Sequence, residues 1–157
     1  MLLFPEQDNP FNFERNLTDG CKAVMAPVAG LQLIGFGDME IQQTPRMEFH
    51  PLISQDSELM ANGPQGTWRI RYMVNMTVDI YSYLTEGYHP LAILAYWRRR
   101  VIGPEKALQM PHAQILSVQS GPALTESAGE ENLHLHVQAN FTLTFSLKPT
   151  EILPINP

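Results

Sequence analysis

His134 and His136 are the residues whose type and spacing come closest to a chemical site. In a β-strand, residues i and i+2 project from the same face, so both imidazoles could reach one metal ion. A third ligand would be needed, and His112 or Glu131 could supply it. No spacing signature of a metal site accompanies the pair. We therefore favour the interpretation of both histidines as polar residues on the water-facing side of a strand, with no metal and no cofactor.

Other catalytic patterns are weak or missing in the sequence. Gly35-Phe36-Gly37 lacks the third glycine and the following helix of a dinucleotide site. The carboxylates do not form a convincing catalytic pair. Asp79 falls on the polar side of a long alternating segment, and Glu130 and Glu131 fall in an acidic turn. There is no P-loop and no nucleophile elbow, and the prediction is that the protein is not an enzyme.

The basic run Arg98, Arg99 and Arg100 closes a predicted helix. Cations at the carboxyl end of a helix complement its macrodipole, which is the interpretation we favour. Contact with an acidic neighbouring subunit comes second, and contact with nucleic acid third.

The histidine pair belongs to an unbroken alternation of apolar and polar residues from Leu133 to Leu147. Such a pattern predicts a β-strand with one buried face, far longer than the usual ~5–6 residues. A second long alternation, Thr67–Tyr83, predicts a sheet partner for it. Arg69 and Arg71 fall on the polar side of that second strand.

An aromatic cluster follows the second strand into the next helix. It includes Tyr81, Tyr83 and Trp97. Aromatic enrichment is typical of protein interfaces, although packing in the core alone explains most of these residues. The predicted subunit-interface residues are Arg69, Arg71, Tyr81, Tyr83, Trp97, Arg98, Arg99 and Arg100.

The remaining periodicities predict helices and shorter strands. A helical stripe predicts a helix over Pro10–Ala26, and Pro90–Arg100 predicts a second one. Strands are predicted at Arg46–Ile53 and Ala113–Ser120, with a polar loop at Gln55–Gly66. The fold class is α+β: an antiparallel (mixed) β-sheet with two long strands and helices packed mainly on one face. We expect one domain over residues 1–157 with an extended C-terminal tail, residues 148–157.

Composition narrows the classes of partner. The net charge of -6 opposes binding to a phosphate backbone. The charged fraction of 17% is below the usual ~25%, which suits a surface partly covered by other subunits. One cysteine excludes an internal disulfide. No apolar run has the length of a membrane span, and no signal peptide is visible, so no membrane partner is expected.

The order of these elements resembles the tail terminator and neck proteins of tailed bacteriophages. The matching pieces are the stripe Phe13–Val24, the strand Arg46–Ile53, the two long strands, the helix Pro90–Arg100 and the strand Ala113–Ser120. The resemblance implies a virion structural protein that forms a homo-oligomeric ring, commonly a hexamer, assembled in the host cytoplasm.

The implied partners are a tail tube or sheath protein and the head–tail connector, with DNA passing through the lumen without specific binding. Other tail or head–tail joining subunits (a baseplate, sheath-initiating or head-completion protein) are the alternative, and a metal- or ligand-binding enzyme is the third hypothesis.

Overall fold

The computed structural model describes residues 10–39, 43–60, 68–83, 87–111, 113–128 and 134–147. Within these residues the chain forms two helices and five strands. In chain order they are α1 (Pro10–Met25), β1 (Gln32–Ile34), β2 (Arg46–Met60), β3 (Trp68–Tyr83), α2 (Pro90–Val101), β4 (Ala113–Ala128) and β5 (His134–Leu147).

The strands form one sheet in the order β1-β2-β3-β5-β4. The short β1 runs parallel to β2, and every other neighbouring pair is antiparallel. The prediction of an α+β fold with a mixed sheet is therefore confirmed. The two strands with the cleanest alternation, β3 and β5, are paired side by side, as predicted.

The two predicted long strands are present, and β2 and β4 also reach 15 and 16 residues. The polar segment after Ile53 continues β2 as far as Met60, across an irregularity between Ile53 and Gln55. The rest of the predicted loop, residues 61–66, lies outside the described residues.

Strand β4 does not end at Ser120, as the Gly-Pro pair after it predicted. The strand passes through a bulge between Ser120 and Ala123 and continues to Ala128. A glycine fits this bulge because a Cβ at Gly121 would lie only 2.9 Å from the carbonyl oxygen of Asn140. The outer position of β4 in the sheet tolerates Pro122, which cannot donate a ladder hydrogen bond.

Both helices pack on the same face of the sheet and share one hydrophobic core, as predicted. The core receives the predicted stripe of α1, one side of α2, and every second side chain of the central strands. Alternation in β5 matches this burial closely, with buried and partly exposed residues in turn along most of the strand. The largest fully buried side chains include Trp97, Phe49, Phe145, Leu17, Met25, Met47, Met76 and Ile80.

Trp97 corrects the predicted interface set. Its side chain is 0% exposed and packs against Phe49 and Phe141, with ring centroids 5.1 and 6.2 Å apart. The cause is the position of Trp97 on the sheet-facing side of α2, so its aromatic surface is already covered within the chain. The structure therefore places Trp97 in the core and leaves it no surface for a neighbouring subunit.

Replacing Trp97 with alanine should destabilise the fold strongly. Removal of a fully buried indole leaves a cavity between α2 and the sheet and should lower the free energy of unfolding by about 3–5 kcal/mol. Urea unfolding followed by circular dichroism measures this. Leu91→Ala is the matched control, because Leu91 is on the same helix but 43% exposed, and the control should unfold close to wild type. Equal losses in the two variants would contradict the placement of Trp97.

Candidate functional site

The polar face, defined here as the side of the sheet turned away from the two helices, carries most of the predicted chemistry. The register of the strands arranges its side chains in rows that cross the sheet. One row joins Arg46, Tyr81, His136 and Glu126 on β2, β3, β5 and β4. Directly opposed residues on adjacent strands have Cβ atoms about 4.5–5.5 Å apart, so each row is a chain of side-chain contacts.

Tyr81 lies at the centre of this row. The guanidinium of Arg46 is 3.9 Å from the centroid of its ring, and the imidazole of His136 stacks on it at 4.3 Å with an interplanar angle of 3°. A cation over a tyrosine ring is attracted by the ring quadrupole. The predicted interface residue Tyr81 is thus held between side chains of its two neighbouring strands.

Asp79 occupies the next row and is only 7% exposed. Its carboxylate lies 2.7 Å from Nε2 of His136, and it accepts a hydrogen bond of 3.1 Å from Nε2 of Gln138. His50 on β2 approaches the other carboxylate oxygen at 3.5 Å. These polar groups on both neighbouring strands surround a carboxylate that would otherwise be costly to bury.

Glu48 extends the same network along β2. Its two carboxylate oxygens lie 2.8 Å from Nε of Arg46 and 3.2 Å from Nε2 of His50. The pKa of Tyr81 is raised above its ordinary value, first by burial and then by the negative charges of Asp79 and Glu48. Ionisation of the phenol would place a third negative charge beside these carboxylates.

The structure brings His134 and His136 to the polar face, as the alternation predicted, but gives them different neighbours. His136 contacts Asp79, whereas the ring of His134 lies 4.9 Å from that of Tyr83 and 6.0 Å from that of Tyr81. No group of three His, Cys, Asp or Glu residues placed to hold a metal occurs in the described part of the chain. The third-ligand candidates His112 and Glu131 lie outside that part.

The other predicted interface residues of the polar face differ in exposure. Arg69 is turned toward β5, where it donates to Oγ and to the carbonyl oxygen of Ser146 at 2.5 and 3.1 Å. Arg71 and Tyr83 are exposed. Among the predicted interface residues of the polar face, Arg71 and Tyr83 are therefore the most available to another molecule.

The basic run at the end of α2 makes contacts within the chain. Arg98 donates to Oγ of Ser120 at 3.1 Å, which ties α2 to the bulge of β4. Arg100 forms an ion pair of 2.6 Å with Glu105. Arg99 lies over the ring of Tyr96 at 5.5 Å and is the most exposed of the three arginines.

Sequence reasoning missed Arg46, Glu48, His50 and Glu126 as parts of this surface. The first three share one side of β2 at i, i+2 and i+4, which was a readable signal for a polar strand face. Their contacts with Asp79 and Tyr81 depend on the pairing of β2 with β3. Periodicity within one strand contains no information about that register.

A second feature is an apolar groove on the helix side of the outer strand β4. The groove has a volume of about 630 Å³ and lies between β4 and the segment that runs from the end of α2 to Met110. Its walls include Val101, Ile102, Leu108, Met110, Ile115 and Leu116.

Comparisons with known proteins leave the family open. No family model and no curated protein matches the chain. Among solved structures, a chain of the virion of a native gene transfer agent particle matches with 8% sequence identity and a TM-score of 0.47 over 80% of this chain and 84% of that chain. Similarity at this level assigns neither a family nor a function. In the described residues, no helix is long and apolar enough to cross a membrane.

Replacing Asp79 with asparagine should lower the pKa of Tyr81 toward its ordinary value, because one of the negative charges that disfavour the phenolate is removed. Because the pKa of Tyr81 is raised in the folded state, the stability contributed by its neutral phenol is fully present below the pKa of the unfolded chain. That stability is lost as the pH rises through the pKa of the folded chain. NMR titration of the tyrosine ring carbons measures the pKa directly.

Glu126→Gln is the control for this titration. Glu126 is on the same face, but its side chain is 77% exposed and its charge is well solvated. The control should leave the pKa of Tyr81 close to that of wild type. A Tyr81 pKa that is equal in wild type and Asp79→Asn would show that the two groups do not interact.

Proposed function

We propose that the chain is a virion structural protein: a tail terminator or neck ring subunit of a tailed bacteriophage. In this proposal, copies of the chain form a homo-oligomeric ring, a hexamer, between the tail tube or sheath and the head–tail connector. DNA passes through the lumen of the ring without specific binding. The protein acts in the virion, after assembly in the host cytoplasm.

The observation that carries the proposal is the long stretch of open strand edge at each side of the sheet, along β4 on one side and along most of β2 on the other. Among the described residues, β4 is paired only with β5, and β1 covers only Arg46, Met47 and Glu48 of the 15 residues of β2. Unpaired strand edges are templates for pairing with another chain. Because the two edges differ, a contact from one edge to the other is heterologous, and such contacts close into rings when the rotation permits.

The polar face supports a structural rather than a catalytic role. Asp79, Glu48 and His136 are bound to one another or to neighbouring side chains within the sheet. A fixed network of this kind stiffens a surface, and Arg71 and Tyr83 beside it remain exposed for a partner. The order of elements in the structure is also the order on which the resemblance to tail terminator and neck proteins depends.

The charge of the chain supports passage of DNA rather than capture. A net charge of -6 repels a polyanion wherever that charge faces the lumen.

The alternative is another tail or head–tail joining subunit of the same virion, which would use the same strand edges. Labelling the protein on intact particles with an antibody distinguishes a tail terminator or neck ring from a subunit at another position.

Assembly should depend on the exposed part of the polar face. Purified wild-type protein, alone or mixed with a tail-tube protein, should form rings visible by negative-stain electron microscopy. Arg71→Glu should reduce ring formation without lowering the melting temperature, because Arg71 is exposed and its reversal changes charge at the contact rather than packing.

Arg15→Glu is the matched control, since Arg15 is an exposed arginine on α1, on the opposite side of the sheet. The control should assemble like wild type. Absence of rings in every wild-type sample would contradict the proposed function. Equal assembly of Arg71→Glu and wild type would remove the polar face from the contact.

The enzyme hypothesis is tested by metal analysis. We expect protein purified without chelator to contain far less than one equivalent of transition metal by plasma mass spectrometry, with no change in the double variant His134→Ala and His136→Ala. One equivalent of metal in wild type that is lost in the double variant would favour a metal site over a purely structural polar face.

A further inference from the structure

We propose that the edge contact between copies of the chain joins two particular stretches: residues 113–118 of β4 in one copy and residues 55–60 of β2 in the next. The inference rests on the proposed homo-oligomer, whose edge-to-edge contact it makes specific. Among the described residues, each stretch is paired with a strand on one side only.

The edge of β2 is obstructed along its first half. Residues 46–48 are paired with β1. Pro51 has no N–H to donate, and the N–H of Ile53 already donates to Oε1 of Glu14 at 3.3 Å. Glu14 is only 7% exposed, so α1 holds this carboxylate against the strand. In the described part of this edge, the stretch that offers an incoming strand an unobstructed ladder is therefore residues 55–60.

The open stretch of β2 lies at the same end of the sheet as the apolar groove beside β4. Ser57 is paired with Arg71, and Arg71 is paired with Ser146. Ser146 is in turn paired with Gln114, at the part of β4 that lines the groove. Copies placed side by side at the same level therefore bring the open stretch of one copy to the groove of the next.

The directions of the strands suit this contact. β4 runs antiparallel to β5, β5 to β3, and β3 to β2. The strands β2 and β4 therefore run in opposite directions, and a neighbouring copy in the same orientation presents its β2 antiparallel to β4. This pairing keeps the helices of both copies on one side of a continuous sheet and leaves the other edge of each copy for the next contact, as a closed ring requires.

Charges on the helix side of the two stretches are complementary. Asp56 is exposed and is paired with Tyr72, which packs against the core, so Asp56 projects from the helix side of β2. Lys106 lines the groove on the helix side of β4 and is also exposed. Opposite charges across the contact favour this alignment of the two edges. The neighbour's strand also covers Leu116, an aliphatic side chain that is 45% exposed in the groove.

Cysteine cross-linking of the full chain tests the contact. All variants carry Ser57→Cys on β2, and each adds one cysteine along the polar face of β4: Gln114→Cys, Gln119→Cys or Glu126→Cys. These four positions are exposed. Within one chain the two edges are three strand spacings apart, about 14 Å or more, which is too far for a disulfide, so every disulfide joins two copies. Cys21 does not compete, because it is fully buried and burial raises the pKa of its thiol.

Mild oxidation should convert the Gln114→Cys pair into a ladder of disulfide-linked oligomers roughly tenfold or more faster than the Glu126→Cys pair, with Gln119→Cys between them. Equal rates, a fastest reaction at Glu126→Cys, or no cross-linking in any pair would overturn the proposed contact. Rings seen by negative-stain microscopy in those same samples before oxidation would leave the proposed function standing. A fast Gln114→Cys ladder without rings would support the contact and contradict the ring.

Charge exchange is a second test. Lys106→Asp and Asp56→Lys should each slow cross-linking of the Ser57→Cys and Gln114→Cys pair several-fold, and the two changes together should restore it. Aspartate is chosen because Lys106 has a φ of 42°, in the left-handed region that aspartate tolerates better than most residues.

Asp19→Lys is the matched control for the charge exchange. Asp19 is exposed on α1, away from both stretches, and the substitution makes the same change of charge as Asp56→Lys. The control should cross-link at the wild-type rate. Equal slowing by the control, or no recovery in the exchanged variant, would overturn the proposed contact.

Discussion

The pairing of β3 with β5 is the constraint on which the rest of the structure depends. The two strands are matched without interruption over 14 residue pairs, from Ile70 and Leu147 to Tyr83 and His134. Because side chains alternate with a period of two, this register fixes which side chains enter the core and which face water. A slip by one residue would bring the polar side of one strand against the core beside the apolar side of the other.

The helices and the polar face are consequences of that register. The apolar halves of β3 and β5 form a continuous floor, on which α1 and α2 bury their apolar sides. The polar halves bring Asp79 beside His136 and Gln138, and Tyr81 against His136. A buried carboxylate and a buried indole thus depend on the same backbone pairing, although they lie on opposite faces.

The parts of the fold that could be predicted are those in which one segment contains its own signal. β3, β5 and the apolar stripe of α1 have uninterrupted periodicities, and the structure follows them closely. β2 and β4 contain irregularities at Ser54 and near Gly121 that shift the alternation by one residue. A bulge of this kind looks like the end of a strand in the sequence, because the pairing partner that carries the ladder past it is far away in the chain.

The candidate site shows the same limit. The polar sides of β3 and β5 were identified, but the contribution of Arg46, Glu48 and His50 requires the register of β2 against β3. Trp97 was placed at an interface because aromatic composition does not separate interface from core. Only the direction in which α2 presents its apolar side decides between them, and that direction depends on tertiary packing.

The bulges of β4 restrict which strand can join its outer edge. One lies between Ile115 and Ser117 and the other between Ser120 and Ala123, and they leave Ser117–Ser120 and Ala123–Ala128 as the longest regular stretches. A straight, unrelated strand can follow one stretch but loses phase at the next, so promiscuous edge-to-edge aggregation is disfavoured. A partner with a complementary irregularity at the matching position can follow the whole edge. The interrupted ladder of β4 therefore favours pairing with a strand of matching backbone shape over pairing with a regular strand.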